Sequence, residues 1–178
     1  MNKKNINNIA NFAVKFSKEV ANKECLTVDD VSLNFNQFSV LVTSYAKKLK
    51  KLNLNKGDRV GILLFNSIEY LLLMYASMYA GFVPVNINAR YKAKELNYVL
   101  HDSKCKILFT SSQSDEVTNF SEIISSVYDS TEGQPEELID VYIIGGSTDN
   151  RFRDFKEFES IFVDDSLNEE ATGSEDDP

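Results

Sequence analysis

Apolar residues along this chain recur in two rhythms, one of period two and one near 3.6. Residues 24–28 (ECLTV) and 31–35 (VSLNF) are short, partly apolar runs on either side of Asp29-Asp30. They predict a β-hairpin around a polar turn. Phe38, Leu41, Val42, Tyr45, Ala46 and Leu49 then fall on one face of a helix. Asn36 is the predicted N-cap, with Phe35 and Val40 placed as a hydrophobic staple. Lys47, Lys48, Lys50 and Lys51 crowd the far end, where cations complement the helix dipole.

After the turn residues Asn55-Lys56-Gly57-Asp58 comes RVGILLF (59–65), an almost unbroken apolar run. Such a run predicts a strand covered on both faces. A helix is expected from about Ser67 to Ala80, capped by Asn66 with Glu69 at the capping-box position and closed by Gly81. FVPVNIN (82–88) predicts the next strand, and residues 93–102 a helix that turns Leu96, Val99 and Leu100 inward. KILFT (106–110) and IDVYII (139–144) predict two more strands. Val117, Phe120, Ile124 and Val127 predict the helix between them. Phe152, Phe155, Phe158, Ile161 and Phe162 predict a last short helix. Alternating strands and helices with apolar strands imply parallel pairing. The expected fold class is therefore α/β, a three-layer sandwich with a largely parallel sheet over residues 1–163. Residues 164–178 are acidic and without periodicity, and read as a linker or frayed end.

Composition is compatible with a buried core: 43% of residues are hydrophobic and 26% charged. The net charge of −8 is unevenly spread, because residues 113–178 hold 19 of the 27 acidic side chains and only 3 of the 19 basic ones. The preceding residues, with 16 basic and 8 acidic side chains, are only mildly basic and the acidic half would repel phosphates, which argues against nucleic acid as a partner. The longest apolar stretch, Tyr70 to Val85, is shorter than a membrane span and contains Gly81 and Pro84, so no transmembrane segment is expected. The N-terminus lacks the apolar core and small-residue cleavage site of a signal peptide. Cys25 and Cys105 form neither a C-x-x-C pair nor a metal-ligand spacing, and read as reduced thiols of a cytoplasmic protein.

Candidate chemistry is sparse. The single histidine, His101, has Asp102 beside it, but neighbours on a helix point in different directions and cannot form a base–orienter pair. His101 reads instead as a dipole-favoured residue at a helix end. Gly145-Gly146 follows a strand, where open α/β sheets bind ligands, yet GGSTDN matches no phosphate-loop pattern and reads as a turn. Thr110-Ser111-Ser112 also follows a strand. It reads as a helix N-cap or as a set of amides facing an anion. The lysines at 47–51 read as a solvated helix end before an anion site. The acidic 164–177 stretch lacks the spacing of a calcium loop. Residue types and spacing thus yield no catalytic, cofactor-binding or metal-binding residue.

Order and spacing of short motifs carry more. Gly57-Asp58-Arg59-Val60, Asn66 to Tyr70 (NSIEY), Ala80 to Asn86 (AGFVPVN) and Glu95 to Tyr98 (ELNY) stand in sequence within residues 57–112. This stretch closely resembles the early part of the AMP-forming adenylating enzymes, which include acyl-CoA synthetases, peptide-synthetase adenylation domains and luciferases. The chain departs from the pattern at Ala89, Lys92 and Ala93, where many members carry Pro, Thr or Ser, and Pro. The resemblance implies the N-terminal subdomain of an ATP-dependent acid–CoA ligase, with ATP, Mg²⁺ and CoA used by the parent enzyme. Val83 to Asn88 followed by Arg90-Tyr91 leans toward fatty acids or steroid side chains as the acid. A carrier-protein thiol in place of CoA is a third possibility within the superfamily. The phosphate-binding Ser/Thr/Gly loop, adenine motif, ribose Asp and catalytic Lys that the resemblance implies do not occur in residues 1–178. The fragment alone is therefore expected to be inactive and to need the C-terminal parts of its own chain as packing partners. The competing expectation is a free-standing, non-catalytic α/β interaction module.

Overall fold

The computed structural model describes residues 9, 11–16, 18–115, 118–131 and 133–164. The described residues divide into two compact units. One comprises those up to Gly57, Asn66–Val83 and those from Phe162; the other comprises Asp58–Phe65 and Pro84–Ile161. Among the described residues no helix is long and apolar enough to cross a membrane.

The first unit holds helix α1 (Asn11–Val14), the antiparallel hairpin β1 (Glu24–Val28) and β2 (Val31–Asn34), and helices α2 (Phe35–Leu49) and α3 (Ile68–Ala80). Asp29 takes the left-handed conformation at the hairpin turn, φ 51°, which Asp tolerates better than most side chains. Helix α2 starts two residues earlier than the periodicity indicates. Its N-cap is Asn34, not Asn36: Asn34 Oδ1 accepts from the Gln37 amide at 2.8 Å, and Gln37 Oε1 accepts from the Asn34 amide at 2.9 Å. This reciprocal box satisfies two end amides and fixes the helix register. The staple positions shift with it, so Val40 lies 58% exposed. Phe38, Val42, Tyr45, Ala46 and Leu49 form the buried stripe, and α2 packs on α3 through contacts such as Phe38 against Tyr75, edge-to-face at 5.7 Å.

Helix α3 is capped by Ser67, whose Oγ accepts from the Tyr70 amide at 3.1 Å, and not by Asn66. Glu69 consequently sits in the first turn, where its charge favours the helix dipole, without a capping-box role. Gly81 closes the helix at φ 86°, a left-handed cap that costs glycine little.

The second unit is built on a five-stranded sheet of order β4-β3-β5-β6-β7. Its strands are β3 (Arg59–Ile62), β4 (Val83–Asn86), β5 (Cys105–Ser111), β6 (Asp140–Ile144) and the two-residue β7 (Arg153–Asp154). The β3–β5, β5–β6 and β6–β7 pairs are parallel. β7 has too few residues to carry a periodic signal and escapes the sequence reading. Helices α4 (Ala93–Ser103), α5 (Phe120–Tyr128) and α6 (Phe155–Glu159) complete the unit. Alternation along the strands separates two apolar layers. Leu108, Val141 and Ile143 join Leu96 and Leu100 of α4 and Phe120, Ile124 and Val127 of α5 in one cluster. Phe109 and Tyr142 face the other way and stack at 5.3 Å, with Phe155 and Phe158 of α6 edge-on to Phe109 at 5.9 and 5.1 Å. Helices on both faces of a parallel sheet make this the three-layer α/β arrangement.

Local chemistry sets the helix starts in this unit too. The Lys92 amide donates to Glu95 at 3.1 Å, which compensates in part for the missing proline at the start of α4. Asn119 caps α5 through the Glu122 amide, so the helix begins at Phe120. Val117, expected on that helix, lies outside the described residues. The last helix is shorter than the Phe152 to Phe162 pattern indicates, so that Phe152 precedes it, Ile161 and Phe162 follow it, and Phe162 is 86% exposed. Of the acidic 164–178 stretch, only Asp164 is among the described residues.

Candidate functional site

Parallel strands end together, so the loops after β5 and β6 and the side of α5 converge at one edge of the sheet. An open cleft of 610 Å³ lies there, lined by Ser112 after β5, Ser121, Glu122 and Ser125 on α5, and Gly145 to Asp149 after β6. Its floor is held by the Ser112 amide, which donates to Ile144 O at 2.8 Å. Gly145 and Gly146 both take left-handed backbone, φ 87° and 83°, and carry the chain out of β6. The cleft is rich in hydroxyls. The lining contains two carboxylates, Glu122 and Asp149, and no lysine or arginine, Asp149 being held by Arg151 from behind it.

Two arginines organise the loops at this edge. Arg90, in the loop after β4, pairs with Asp115 at 2.9 Å. Asp115 Oδ1 accepts from the Thr118 amide at 2.6 Å, and the Asp115 amide donates back to Thr118 O at 2.8 Å. Arg151, before β7, donates from Nε to both Asp149 oxygens at 3.0 Å and from Nη2 to Oδ2 at 2.6 Å. Its Nη1 reaches Asp129 Oδ1 at 2.6 Å. The guanidinium holds the Asp149 carboxyl well below the usual range, at about 2. Its carbon stands 5.5 Å from the ring centroids of Tyr128 and Phe152. Burial pushes the Tyr128 phenol up to about 12, against the opposing pull of the Arg151 charge.

The residues singled out from sequence fall in different places. His101 and Asp102 are both exposed in the last turn of α4 and do not meet the cleft lining. Thr110 and Ser111 lie inside β5 and cap no helix, because the sheet register carries the strand past them. The Thr110 hydroxyl is buried without a hydrogen-bond partner. Ser112 alone of the three reaches the cleft. Gly145 and Gly146 form the turn and also line the cleft. In the lysine run, Lys47 Nζ donates to Asp164 O at 2.8 Å and Lys48 stands 5.8 Å from the Tyr45 ring. Arg151 and Asp149 escaped the sequence reading. Their i, i+2 spacing of opposite charges was visible, but Asp129 and Tyr128 come from a different element.

This lining offers a magnesium-bound triphosphate no cationic side chain. Among the described residues no group of three or more His, Cys, Asp or Glu side chains is placed to hold a metal ion.

Residues 13–178 match the family model described as AMP-binding enzyme. The chain belongs to the AMP-binding enzyme family. Similar proteins include the mitochondrial medium-chain acyl-CoA ligase ACSF2 of Pongo abelii, 38% identical over 94 residues, or 52% of this chain and 15% of the relative. The long-chain-fatty-acid–CoA ligase FadD13 of Mycobacterium tuberculosis is 38% identical over 79 residues, 44% of this chain and 16% of the relative. An anthranilate CoA ligase, AuaEII, solved with anthranoyl-AMP, superposes with a TM-score of 0.80 at 23% identity, covering 96% of this chain and 30% of that one. The N-terminal domain of FACL13 from Mycobacterium tuberculosis superposes with a TM-score of 0.60 at 25% identity over 84% of this chain. This AMP-binding family chain thus spans about a third or less of the proteins it resembles, and its fold is that of their N-terminal domains.

Proposed function

We propose that this chain is the N-terminal α/β part, residues 1–163, of an AMP-forming acid–CoA ligase. In the parent reaction a carboxylate attacks the α-phosphate of ATP, releasing pyrophosphate and forming an acyl-adenylate. The thiolate of CoA then displaces AMP. The observation that carries this reading is the family match over residues 13–178. Fatty acids are the favoured acid class, since relatives at 38% identity bear the names of medium- and long-chain acyl-CoA ligases. ATP, CoA and Mg²⁺ belong to the parent enzyme. The chain itself supplies no catalytic, nucleotide-binding or metal-binding residue, and its place of action is the cytoplasm.

The test is ATP–pyrophosphate exchange with a medium- or long-chain fatty acid. The isolated 178-residue chain is expected to give none, whereas a longer polypeptide carrying the same residues and the rest of the ligase is expected to exchange. Exchange by the isolated chain would overturn the claim that it lacks the catalytic groups. A longer polypeptide that neither exchanges nor binds ATP would replace the ligase reading with that of a non-catalytic interaction module.

A further inference from the structure

Residues 145–148 have little of their own to hold them. Two consecutive glycines contribute no side-chain contacts and a large conformational entropy to lose on ordering. Gly145, Ser147 and Thr148 are exposed. Asp149 is the first residue after the turn tied to another element. Its Oδ2 accepts from Ser125 Oγ of α5 at 3.4 Å as well as from Arg151.

We propose that Arg151 is a positioning residue whose guanidinium latches the Gly145–Asp149 loop to the C-terminal end of α5 and so pre-forms one wall of the cleft. The geometry is a fork on Asp149, a second anchor on Asp129 just beyond α5, and an aromatic seat on Tyr128 and Phe152. An isolated surface ion pair contributes little. A planar guanidinium bound at all three nitrogens, shared between two carboxylates and seated on two rings, holds its partners in one orientation. Phe152 is 7% exposed and belongs to the core cluster, against which Tyr128 packs, so the seat is rigid. The Arg151 amide also donates to Asp149 Oδ1 at 3.0 Å and the Phe152 amide to Asp149 O at 3.2 Å. The segment from 149 to 152 is thereby a folded turn and not a tether. A ligand entering the cleft meets a wall already ordered, which lowers the entropy lost on binding. This role is independent of the ligase reading.

Hydrogen–deuterium exchange on the full chain tests it, with Arg151→Met, which keeps the apolar stem, and Arg151→Lys, which keeps the charge without the fork. In Arg151→Met the amides of residues 145–149 are expected to exchange at least about 10-fold faster while those of Ile107–Thr110 in β5 stay unchanged. Arg151→Lys is expected to recover part of the protection. Loop exchange equal to wild type in Arg151→Met, or acceleration spread equally into β5, overturns the proposal. Should Arg151→Met fail to fold, Asp129→Ala removes one anchor only. A smaller acceleration confined to 145–149 then upholds the latch, and none overturns it.

Discussion

Gly145 and Ser112 approach so closely that a Cβ on Gly145 would stand 2.3 Å from Ser112 Oγ. The contact brings the loop after β6 against the loop after β5, and it lies at the floor of the cleft.

Substitution there separates two costs. Gly145→Ala must accept φ 87° and displace the serine hydroxyl. It is expected to destabilise the chain by about 1–3 kcal/mol in chemical denaturation. Adding Ser112→Gly relieves the clash but not the backbone, so the double variant should recover only part of the loss. Full recovery would show that the left-handed turn costs nothing.

Phe109 is fully buried between Tyr142, Phe155 and Phe158. Phe109→Ala leaves a cavity in that layer and is expected to cost about 3–5 kcal/mol. Denaturant midpoints measured at constant slope read this directly. A loss below about 1 kcal/mol would mean that the four-ring layer is not a packed core.

Asp149 carries the acid sensitivity of the latch. Its carboxyl titrates near 2 in place of the ordinary 3.8, held down chiefly by the Arg151 side chain and then by the Arg151 amide. A depressed folded-state value stabilises the fold above the unfolded value, and that contribution disappears as pH falls through about 2. The stability difference between wild type and Asp149→Asn should therefore be constant above about pH 5 and shrink between pH 4 and pH 2. A difference that persists unchanged to pH 2 would place the effect in shape and not in charge.

The two thiols should react in order. Burial raises both, and Cys105 is wholly enclosed, while Cys25 is half-buried. A thiol reagent added to the folded chain should consume Cys25 first, with Cys105 following only when the second unit opens. Simultaneous reaction would show that the core around Cys105 exchanges freely with solvent.

Strand and helix identity came from local information. The apolar run beginning at Arg59, the period of Phe38 to Leu49 and the stop at Gly81 are properties of neighbouring residues, and the structure keeps the period and the stop, while the strand expected over 59–65 ends at Ile62. Motif order between Gly57 and Tyr98 pointed to the family that the match over residues 13–178 confirms. Helix starts were less readable, since Asn34 and Asn36, or Asn66 and Ser67, are equally able to cap. Backbone geometry at Asn34 and Ser67 decided between them.

What the sequence determined by itself was the alternation of elements, the two-sided burial of the strands and the family. Only tertiary structure decided the sheet order, the short edge strand Arg153–Asp154 and the cleft. The latch joins Asp129, Asp149 and Arg151 across different elements. The reason is physical: periodicity reports which way a side chain faces within one element, whereas a guanidinium finds partners by distance in space. That distance exists only once β6 has paired with β5 and α5 has packed above them.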